Sequence, residues 1–391
     1  MTLYYYQTQS KHLDLLIKEL SQQLDTSRLK RYQDRTKNAD VLVLSTSKKG
    51  IAKAILQGNY AIKEPLVKSY SIGFLFSGQG CQYPEMIKPW MTIPSFKKNI
   101  DDLIHKTKDE NLSQLLNSSD ESLIHQTAYT QPALFAFQWA MSQIWKDLGI
   151  EADITLGHSV GEYPAHAYAG GFTPEDGFGL ITQRAKAMTS LPPGGGMLAI
   201  KSSYDGIKPL IKQYTNLSIA AINAEDQVVV SGDLSALEKL STYLKTNKVR
   251  NQRLTVSHGF HSYLLDPILK TIDEEAKKIK TSPLNKTLIS NLTGNKVSEP
   301  LLADYWSRHA REPVQFLSCL KHFKNTDIVI EVGPRPILSA LAQRSTPGVY
   351  LASCKRNNPI EALFKSIYQL YSIGVDINWI KQTNFNPIWR N

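Results

Sequence analysis

Residues 157–161 read Gly-His-Ser-Val-Gly, and this pentapeptide constrains the fold of the chain more than any other stretch. An apolar segment, 154–156, precedes it, and a helix-compatible segment, 162–169, follows it. The pattern Gly-x-Ser-x-Gly in that setting predicts a strand that turns sharply into a helix, with glycines that relieve crowding at a strained turn. The helix N-terminus would direct N–H groups and a positive dipole end towards an oxyanion near the serine. Ser159 is therefore the candidate nucleophile.

Apolar strands alternate with helical stretches on both sides of this turn. Residues 72–76 form an apolar run that ends in the sequence Ser-Gly-Gln-Gly, and helical patterns cover 131–148 and 174–188. Buried strands that alternate with helices are typical of a parallel sheet. We therefore predict an α/β fold, with its site at the carboxyl ends of the strands.

A run of prolines and glycines at 192–196 ends this alternation. The elements predicted after it follow the order strand, helix, strand, strand, helix, strand, which is the ferredoxin-like order. We predict a ferredoxin-like subdomain over 194–256, inserted into an α/β-hydrolase-like core of 71–193 and 257–345. Residues 1–70, with a helical stretch at 11–24, form an N-terminal α/β appendage, and 346–391 form a C-terminal tail.

Bulk composition excludes several classes of protein. The chain of 391 residues has no apolar run near the ~20 residues that span a bilayer, and its N-terminus lacks the basic and apolar regions of a signal peptide. Three scattered cysteines are too few for a disulfide framework or a zinc site, which fits a reducing, cytoplasmic location. The cysteines are Cys81, Cys319 and Cys354.

The formal net charge of +10 has three interpretations. A lysine-rich background accounts for it without any function. An acidic partner protein is the second interpretation, because complementary charge mainly speeds encounter. Nucleic acid is the weakest, because the basic residues are spread along the chain rather than clustered with aromatic residues. We predict no nucleic-acid partner.

A serine hydroxyl needs a base that takes its proton, and the chain has nine histidines. His158 and His166 flank the predicted turn. His258 and His261 lie where the inserted subdomain rejoins the core, and such junctions usually form the wall of a cleft. Position therefore favours the pair His258 and His261 over the other histidines.

Two further features are candidates for the site. Small residues at 77–80 let the backbone approach a ligand, so the N–H of Gln79 is a candidate oxyanion donor. Arg184 lies on the helix predicted over 174–188, and an arginine fork can bind both oxygens of a carboxylate. Taken alone, an arginine on such a helix is more often solvated.

Nine stretches spread over 71–345 carry a resemblance to one family. They are 76–83, 130–135, 157–163, 183–184, 191–199, 223 with 228–233, 256–262, 305–306 with 311–314, and 331–334. In this order and spacing the chain resembles the malonyl-CoA:acyl carrier protein transacylase family, and most closely the acyltransferase domains of polyketide synthases. The flanks, 1–70 and 346–391, resemble the linkers on either side of such domains.

The resemblance implies a ping-pong transfer in polyketide or fatty acid biosynthesis. Ser159 would attack the thioester of malonyl-CoA, with His261 as general base. Backbone N–H groups of Gln79 and Val160 would hold the oxyanion. The acyl group would then pass to the phosphopantetheine thiol of an acidic acyl carrier protein. Arg184 would pair with the malonyl carboxylate, and no bound metal or redox cofactor is expected.

The resemblance also places His158, Phe260 and Asn223 at the substrate. Residues 258–261 read His-Gly-Phe-His, close to the His-Ala-Phe-His of malonyl-selective polyketide domains. In physical terms, Phe260 fills space that a methyl branch would need, which is worth ~1–3 kcal/mol. Val160 also fits malonyl, because methylmalonyl domains favour glutamine there.

Two smaller expectations come with the resemblance. A backbone carbonyl in 323–327, before the strand that ends at 332, would orient the second nitrogen of His261. Cys81 lies near the proposed oxyanion turn and is either a bystander or a reactive thiol.

Three other functions stay open from the sequence. An editing acyl hydrolase of the same fold would use Ser159 and His261, but it would not need Arg184, because its substrates lack a free carboxylate. An unrelated serine esterase would need an acidic residue between serine and histidine in chain order. A docking module with a degenerate site is disfavoured, because every proposed catalytic residue is present.

Overall fold

The computed structural model describes residues 3–9, 40–45, 53–54, 57, 59–63, 69–118, 120–378 and 385–387. Most of the predicted N-terminal appendage, including the helical stretch at 11–24, lies outside these residues. So does most of the tail after 378. Within the described residues, no helix is long and apolar enough to cross a membrane.

Strands and helices alternate along most of the described chain. The strands are β1 (Leu3–Gln9), β2 (Asp40–Ser45), β3 (Ala61–Ile62), β4 (Ile72–Phe76), β5 (Ile154–Gly157), β6 (Gly195–Ile200), β7 (Leu217–Ala224), β8 (Gln227–Asp233), β9 (Asn251–Arg253), β10 (Thr287–Ile289), β11 (Ile328–Val332), β12 (Val349–Ala352) and β13 (Phe385–Pro387). The helices are α1 (Pro94–Thr107), α2 (Glu110–Asn117), α3 (Thr127–Asp147), α4 (Glu162–Tyr168), α5 (Pro174–Thr189), α6 (Tyr204–Ile211), α7 (Leu234–Thr246), α8 (Leu269–Ala276), α9 (Ala303–Arg311), α10 (Phe316–Leu320), α11 (Leu338–Ala342) and α12 (Pro359–Ser372). Short 3-10 turns cover Lys88–Thr92, Leu123–His125, Ser159–Gly161, Tyr263–Ile268 and Lys321–Phe323.

The large part is built on a five-stranded sheet with the order β10-β5-β4-β11-β12. Each neighbouring pair in it is parallel. Every residue of β4, β5 and β11 is buried, as expected for strands covered on both faces by helices. This sheet confirms the predicted α/β class. Because parallel strands end at one edge, it also brings the turns after β4 and β5 together.

The small subdomain is a four-stranded antiparallel sheet with the order β7-β8-β6-β9. Its α6 and α7 cover one face over an apolar core of its own, which includes Leu198, Val230 and Leu240. With the connectivity β-α-β-β-α-β, this is the ferredoxin-like arrangement. The last strand, β9, is short. It pairs with β6 only over Asn251–Arg253, and the chain beyond it runs towards the large part.

The second face of the small sheet packs against the large part. Ala220, Ala221 and Val229 belong to the same apolar core as the parallel sheet. Main-chain hydrogen bonds of 2.9 Å join Val314 to Ala220 and to Ile222. The two parts therefore meet along β7, and the space between them forms a cleft.

Candidate active site

The serine turn has the strained geometry that its glycines predict. Ser159 has a φ of 49°, in the left-handed region, between the end of β5 and the start of α4. A Cβ at Gly157 would lie 2.1 Å from the backbone nitrogen of Glu162, and one at Gly161 would lie 2.2 Å from the carbonyl oxygen of Phe76. Backbone atoms cannot move aside as a side chain can, so only glycine fits both positions. The turn therefore holds Ser159 at the carboxyl edge of the sheet.

His261 is in direct contact with this serine. Its Nε2 lies 2.7 Å from Ser159 Oγ, and its Nδ1 lies 2.9 Å from the carbonyl oxygen of Glu312. A carbonyl can only accept, so Nδ1 carries the proton and Nε2 is the free acceptor for the serine hydroxyl proton. This geometry is that of a nucleophile and its general base.

The orienting carbonyl does not come from residues 323–327, and that prediction is wrong. Those residues precede β11 and therefore lie at the amino edge of the parallel sheet, opposite the serine turn. Glu312 instead caps the C-terminus of α9 with an extended backbone, φ −85° and ψ 161°. The end of this helix directs the carbonyl to His261.

Burial keeps the His261 ring neutral. The side chain is 3% exposed, and desolvation lowers its pKa to about 3, with the positive charge of Arg184 acting in the same direction. The carbonyl of Glu312 acts against this shift because it accepts from the ring. A neutral imidazole is the form that can accept a proton, and His261 is in that form at neutral pH.

Arg184 is a buried cation that faces the same cavity as the serine. It is 1% exposed, and its Nη1 donates to Oε1 of Gln131 at 2.6 Å. Its Nε has no hydrogen-bond acceptor, and no carboxylate of the described residues pairs with the guanidinium. The ring of Tyr163 lies 5.8 Å from it. A desolvated guanidinium without an acidic partner is suited to an anionic ligand.

The cavity itself has a volume of about 440 Å³ and lies between the two parts of the molecule. The large part contributes Ser159, His261, Arg184 and the turn at 78–80. The small subdomain contributes mostly small or apolar side chains. The apolar ones include Met197, Ala199, Ala220, Ala221 and Val229, and the polar side chains Asn223, Gln227, Gln252 and Arg253 also line the cavity.

The two candidate oxyanion donors lie on the adjacent turns that follow β4 and β5. Gln79 and Val160 both line the cavity beside Ser159. The two turns are in tight contact, because a Cβ at Gly78 would lie 2.9 Å from both Nδ1 and the carbonyl oxygen of His158. The two turns therefore lie close together beside Ser159.

The other candidate substrate residues also lie at the cavity. His158 Nε2 lies 2.8 Å from Oδ1 of Asn223, and burial lowers the pKa of that ring. The neutral ring therefore donates to the amide oxygen and ties the serine turn to β7 of the small subdomain. Phe260 is 6% exposed and contributes to the cavity wall.

Comparison with known proteins gives the family. The sequence profile described as the acyl transferase domain matches residues 73–355. The chain belongs to the acyl transferase family. A spectinabilin polyketide synthase protein of Streptomyces orinoci is 35% identical over 338 residues, 81% of this chain and 15% of that protein. A polyketide synthase of Streptomyces halstedii is 30% identical over 332 residues, 79% of this chain and 4% of its own length. The acyltransferase thus spans a small part of the synthases it matches.

Solved structures agree with this assignment. The acyltransferase domain from the second module of the salinomycin polyketide synthase superposes with a TM-score of 0.81 at 27% identity, covering 90% of this chain and 86% of that one. The malonyl CoA-acyl carrier protein transacylase from Clostridium perfringens gives a TM-score of 0.71 at 27% identity, over 77% of this chain and 97% of that one. The resemblance drawn from the sequence is confirmed, and an unrelated serine esterase is excluded.

Of the histidine pair favoured by position, the acyltransferase brings only His261 to the serine. His258 is half-buried, bonds through Nδ1 to Ser257 Oγ at 2.9 Å, and lines a separate cavity of about 440 Å³ beside Pro192 and Tyr263. His166 is packed against Phe172 with ring centroids 4.5 Å apart. Neither ring is hydrogen-bonded to Ser159.

Cys81 of the acyltransferase is a buried thiol. Its Sγ donates to the carbonyl of Gly78 at 3.0 Å, and burial raises its pKa above the ordinary range. The reactive form of a cysteine is the thiolate. The structure therefore favours the bystander interpretation.

The groups that support these side chains were not predicted from the sequence. Gln131, which bonds to Arg184, appears in the sequence only as part of a matched stretch. Glu312 acts through its backbone, and a backbone carbonyl leaves no mark on residue type. Glu162 is 0% exposed, and the sequence marks it only by its place directly after the second glycine of the serine turn, within a matched stretch.

Proposed function

We propose that this acyltransferase moves a malonyl unit from coenzyme A to the phosphopantetheine thiol of an acyl carrier protein. The reaction would proceed through an acyl-serine intermediate, in polyketide or fatty acid biosynthesis. The single observation that carries the proposal is the buried Arg184 guanidinium, which faces the same cavity as Ser159 and has no acidic partner among the described residues.

The first half-reaction forms the acyl-enzyme. Ser159 Oγ attacks the thioester carbonyl of malonyl-CoA while Nε2 of His261 takes the hydroxyl proton. The carbonyl oxygen becomes an oxyanion that the N–H groups of Gln79 and Val160 would hold. When the tetrahedral intermediate collapses, the C–S bond breaks and the coenzyme A sulfur leaves with the proton from His261.

The second half-reaction runs the same steps with a different thiol. The phosphopantetheine thiol gives its proton to His261, and its sulfur attacks the ester carbonyl of the malonyl-serine. The ester C–O bond breaks, and Ser159 Oγ regains the proton. Both half-reactions need one base and one oxyanion site, so a single dyad serves the whole cycle.

Arg184 would select for substrates with a free carboxylate. A malonyl carboxylate can form a charge-assisted pair with the guanidinium, and such pairs are about twice as strong as neutral hydrogen bonds. An acetyl group offers no acceptor at that place and leaves the buried cation unpaired, which costs free energy. Phe260 in the cavity wall would add a smaller bias against a methyl branch, worth ~1–3 kcal/mol.

A basic groove beside the cavity supports an acidic carrier protein as the acceptor. This groove, of about 650 Å³, shares Ala199, Gln227 and Gln252 with the catalytic cavity. Exposed cations line it, namely Lys201, Lys245, Lys248, Arg250 and Arg344. Arg344 pairs with Asp226, whereas the other four form no ion pair with described residues. Complementary charge next to the site entrance would speed and orient encounter.

Intact mass spectrometry tests this function. The protein is mixed with equal amounts of malonyl-CoA, methylmalonyl-CoA and acetyl-CoA, beside Ser159→Ala and Arg184→Ala. We expect a malonyl adduct on the native protein, no adduct on Ser159→Ala, and a loss of malonyl or a switch to acetyl on Arg184→Ala.

A matched pair of histidine variants provides the control. His261→Ala should abolish the adduct, whereas His258→Ala, three positions away but outside the cavity, should retain it. If no CoA thioester labels the native protein but an acetyl-loaded carrier protein is hydrolysed, the editing hydrolase replaces this proposal and the role of Arg184 is wrong.

A further inference from the structure

Glu162 is a buried carboxyl group behind the catalytic dyad that the proposed reaction does not use. It is the first residue of α4, directly after the serine turn, and is 0% exposed. Burial raises its pKa to about 8. A buried carboxyl is costly to retain unless it has hydrogen-bond partners, so its contacts indicate what it does.

Those contacts connect three separate segments. Oε2 accepts from the backbone N–H of Asn291 at 2.6 Å, and Oε1 is hydrogen-bonded to the Tyr305 hydroxyl. The same hydroxyl lies 2.6 Å from Oγ of Ser290. Asn291 in turn donates from Nδ2 to the carbonyl of Gly157 at 2.8 Å. The network thus reaches both ends of the turn that holds Ser159.

The far side of the network is the helix that orients the base. Tyr305 lies on α9, and this helix ends at Arg311. The carbonyl of Glu312, directly after it, accepts from Nδ1 of His261 at 2.9 Å. The position of α9 therefore fixes where that carbonyl lies and how the imidazole is turned.

A packed ring fills the space between the carboxyl group and the base. His309, one turn after Tyr305 on α9, has its Nε2 4.0 Å from Oε2 of Glu162. Its ring centroid is 6.3 Å from that of His261. Burial and the charge of Arg184 lower the pKa of His309 well below its ordinary value, so the ring is neutral. A shift of α9 would move this ring against His261.

We infer that Glu162 is a positioning residue for the dyad: it binds α9 to the serine turn and thereby sets the Glu312 carbonyl that orients His261. Serine and base come from segments far apart in the chain, and this network is a direct link between their supports. The inference rests on the Ser159–His261 dyad of the proposed function. It concerns the alignment of the dyad and holds for any acyl group.

A fluorophosphonate probe tests alignment without any acyl substrate. It phosphonylates an activated serine, so its rate of labelling reports the dyad, while malonyl-CoA labelling reports the proposed function separately. Tyr305→Phe removes one hydroxyl from the network. Tyr168→Phe is the matched control, because its hydroxyl accepts from the N–H of Ala152 at 3.0 Å at the other end of α4. Thermal unfolding of both variants measures the loss of stability.

We expect Tyr305→Phe to slow fluorophosphonate labelling ~10-fold and Tyr168→Phe to slow it less than ~2-fold, because small misplacements of catalytic groups are costly. Glu162→Gln should stay within ~3-fold of the native rate. Its amide oxygen can accept from Asn291, its NH₂ can donate to the Tyr305 oxygen, and that hydroxyl can turn to Ser290.

Three results would overturn the inference. The first is equal slowing by the two tyrosine variants at equal loss of stability, which means a structural role only. The second is a rate for Glu162→Gln as low as that for Tyr305→Phe. The third is a native protein that takes no label, which removes the dyad as well. Labelling by the probe without transfer from malonyl-CoA overturns the proposed function but leaves the comparison of variants valid.

Discussion

The large part and the small subdomain differ in whether several of their charged groups are buried or exposed. The large part buries ionisable groups next to its sheet edge, with Glu162, Arg184 and His261 all at most 3% exposed. The small subdomain has an apolar core of its own and keeps Lys245 and Lys248 exposed on its surface. The difference separates two tasks. Under the proposed function, the buried groups held by hydrogen bonds would perform the chemistry, while the solvated cations would attract the carrier protein before contact.

Glycines in the two parts give the largest expected contrast. Gly157→Ala should destabilise the protein by ~3 kcal/mol and abolish labelling of Ser159, because its Cβ would lie 2.1 Å from a backbone nitrogen. Gly196→Ala in β6 should cost ~1 kcal/mol, because its Cβ would meet the movable Cδ2 of Leu234 at 2.6 Å. Urea unfolding and fluorophosphonate labelling measure both. Equal losses would mean that the serine turn is no more constrained than the small sheet.

Within the large part, Gln131 separates substrate binding by Arg184 from the reactivity of the Ser159–His261 dyad. Its Oε1 accepts from Arg184 at 2.6 Å, and its Nε2 donates to Oε1 of Gln79 at 3.2 Å. Gln131→Leu leaves the guanidinium without this partner, so we expect KM for malonyl-CoA to rise ~10-fold. The rate of fluorophosphonate labelling should be unchanged, because the probe carries no carboxylate. A fall in labelling without a change in KM would place Gln131 with the dyad instead.

The exposed cations should have a smaller effect, and only on the second half-reaction. Replacing Lys245 and Lys248 by alanine should raise KM for the carrier protein ~5-fold and weaken its dependence on salt. Transfer to free pantetheine should not change. Lys239→Ala, on the same helix as Lys245 but away from the groove, is the control. An equal loss with pantetheine would mean that these lysines act on the site itself.

The smallest expected change is with pH. Because the pKa of His261 is lowered to about 3, the base is neutral throughout the range from pH 5 to 8, and labelling of Ser159 should be flat there. A base with an ordinary pKa of 6.5 would lose about thirty-fold in that range. Arg184→Ala removes a positive charge that lowers the pKa of His261. The pH below which labelling of Ser159 falls should therefore be higher in this variant.

Protonation of His261 also affects stability. The unfolded chain binds this proton at an ordinary pKa and the folded chain binds it only near 3, so acid favours unfolding. The contribution of His261 to stability is present above about pH 6.5 and is lost as the pH falls towards 3. Acid unfolding of His261→Gln beside the native protein measures it.

The sequence was sufficient for the fold class and for part of the site. Apolar runs that alternate with helices specify the parallel sheet, because strands covered on both faces have no polar alternation. The Gly-x-Ser-x-Gly pattern specifies the serine turn, because backbone contacts at 157 and 161 exclude every other residue.

The rest of the site depends on geometry that residue types do not encode. His258 and His261 have the same side-chain chemistry, so residue type does not show that His261, whose φ is 55°, is the one that contacts the serine. The acceptor at Glu312 is a carbonyl that any residue would supply. The hydrogen-bond partners of Glu162 and Gln131 lie more than fifty positions away in the chain, so the residue types alone do not reveal these contacts.

The hydrogen bond from His261 to a main-chain carbonyl has a consequence for how this enzyme can be damaged. Where a carboxylate side chain holds the base, one substitution deletes the acceptor. Here the acceptor persists whatever residue occupies position 312. Loss of function by that route requires a change in where the helix before it ends, so vulnerable positions are spread along a structural element instead of being concentrated in a third catalytic residue.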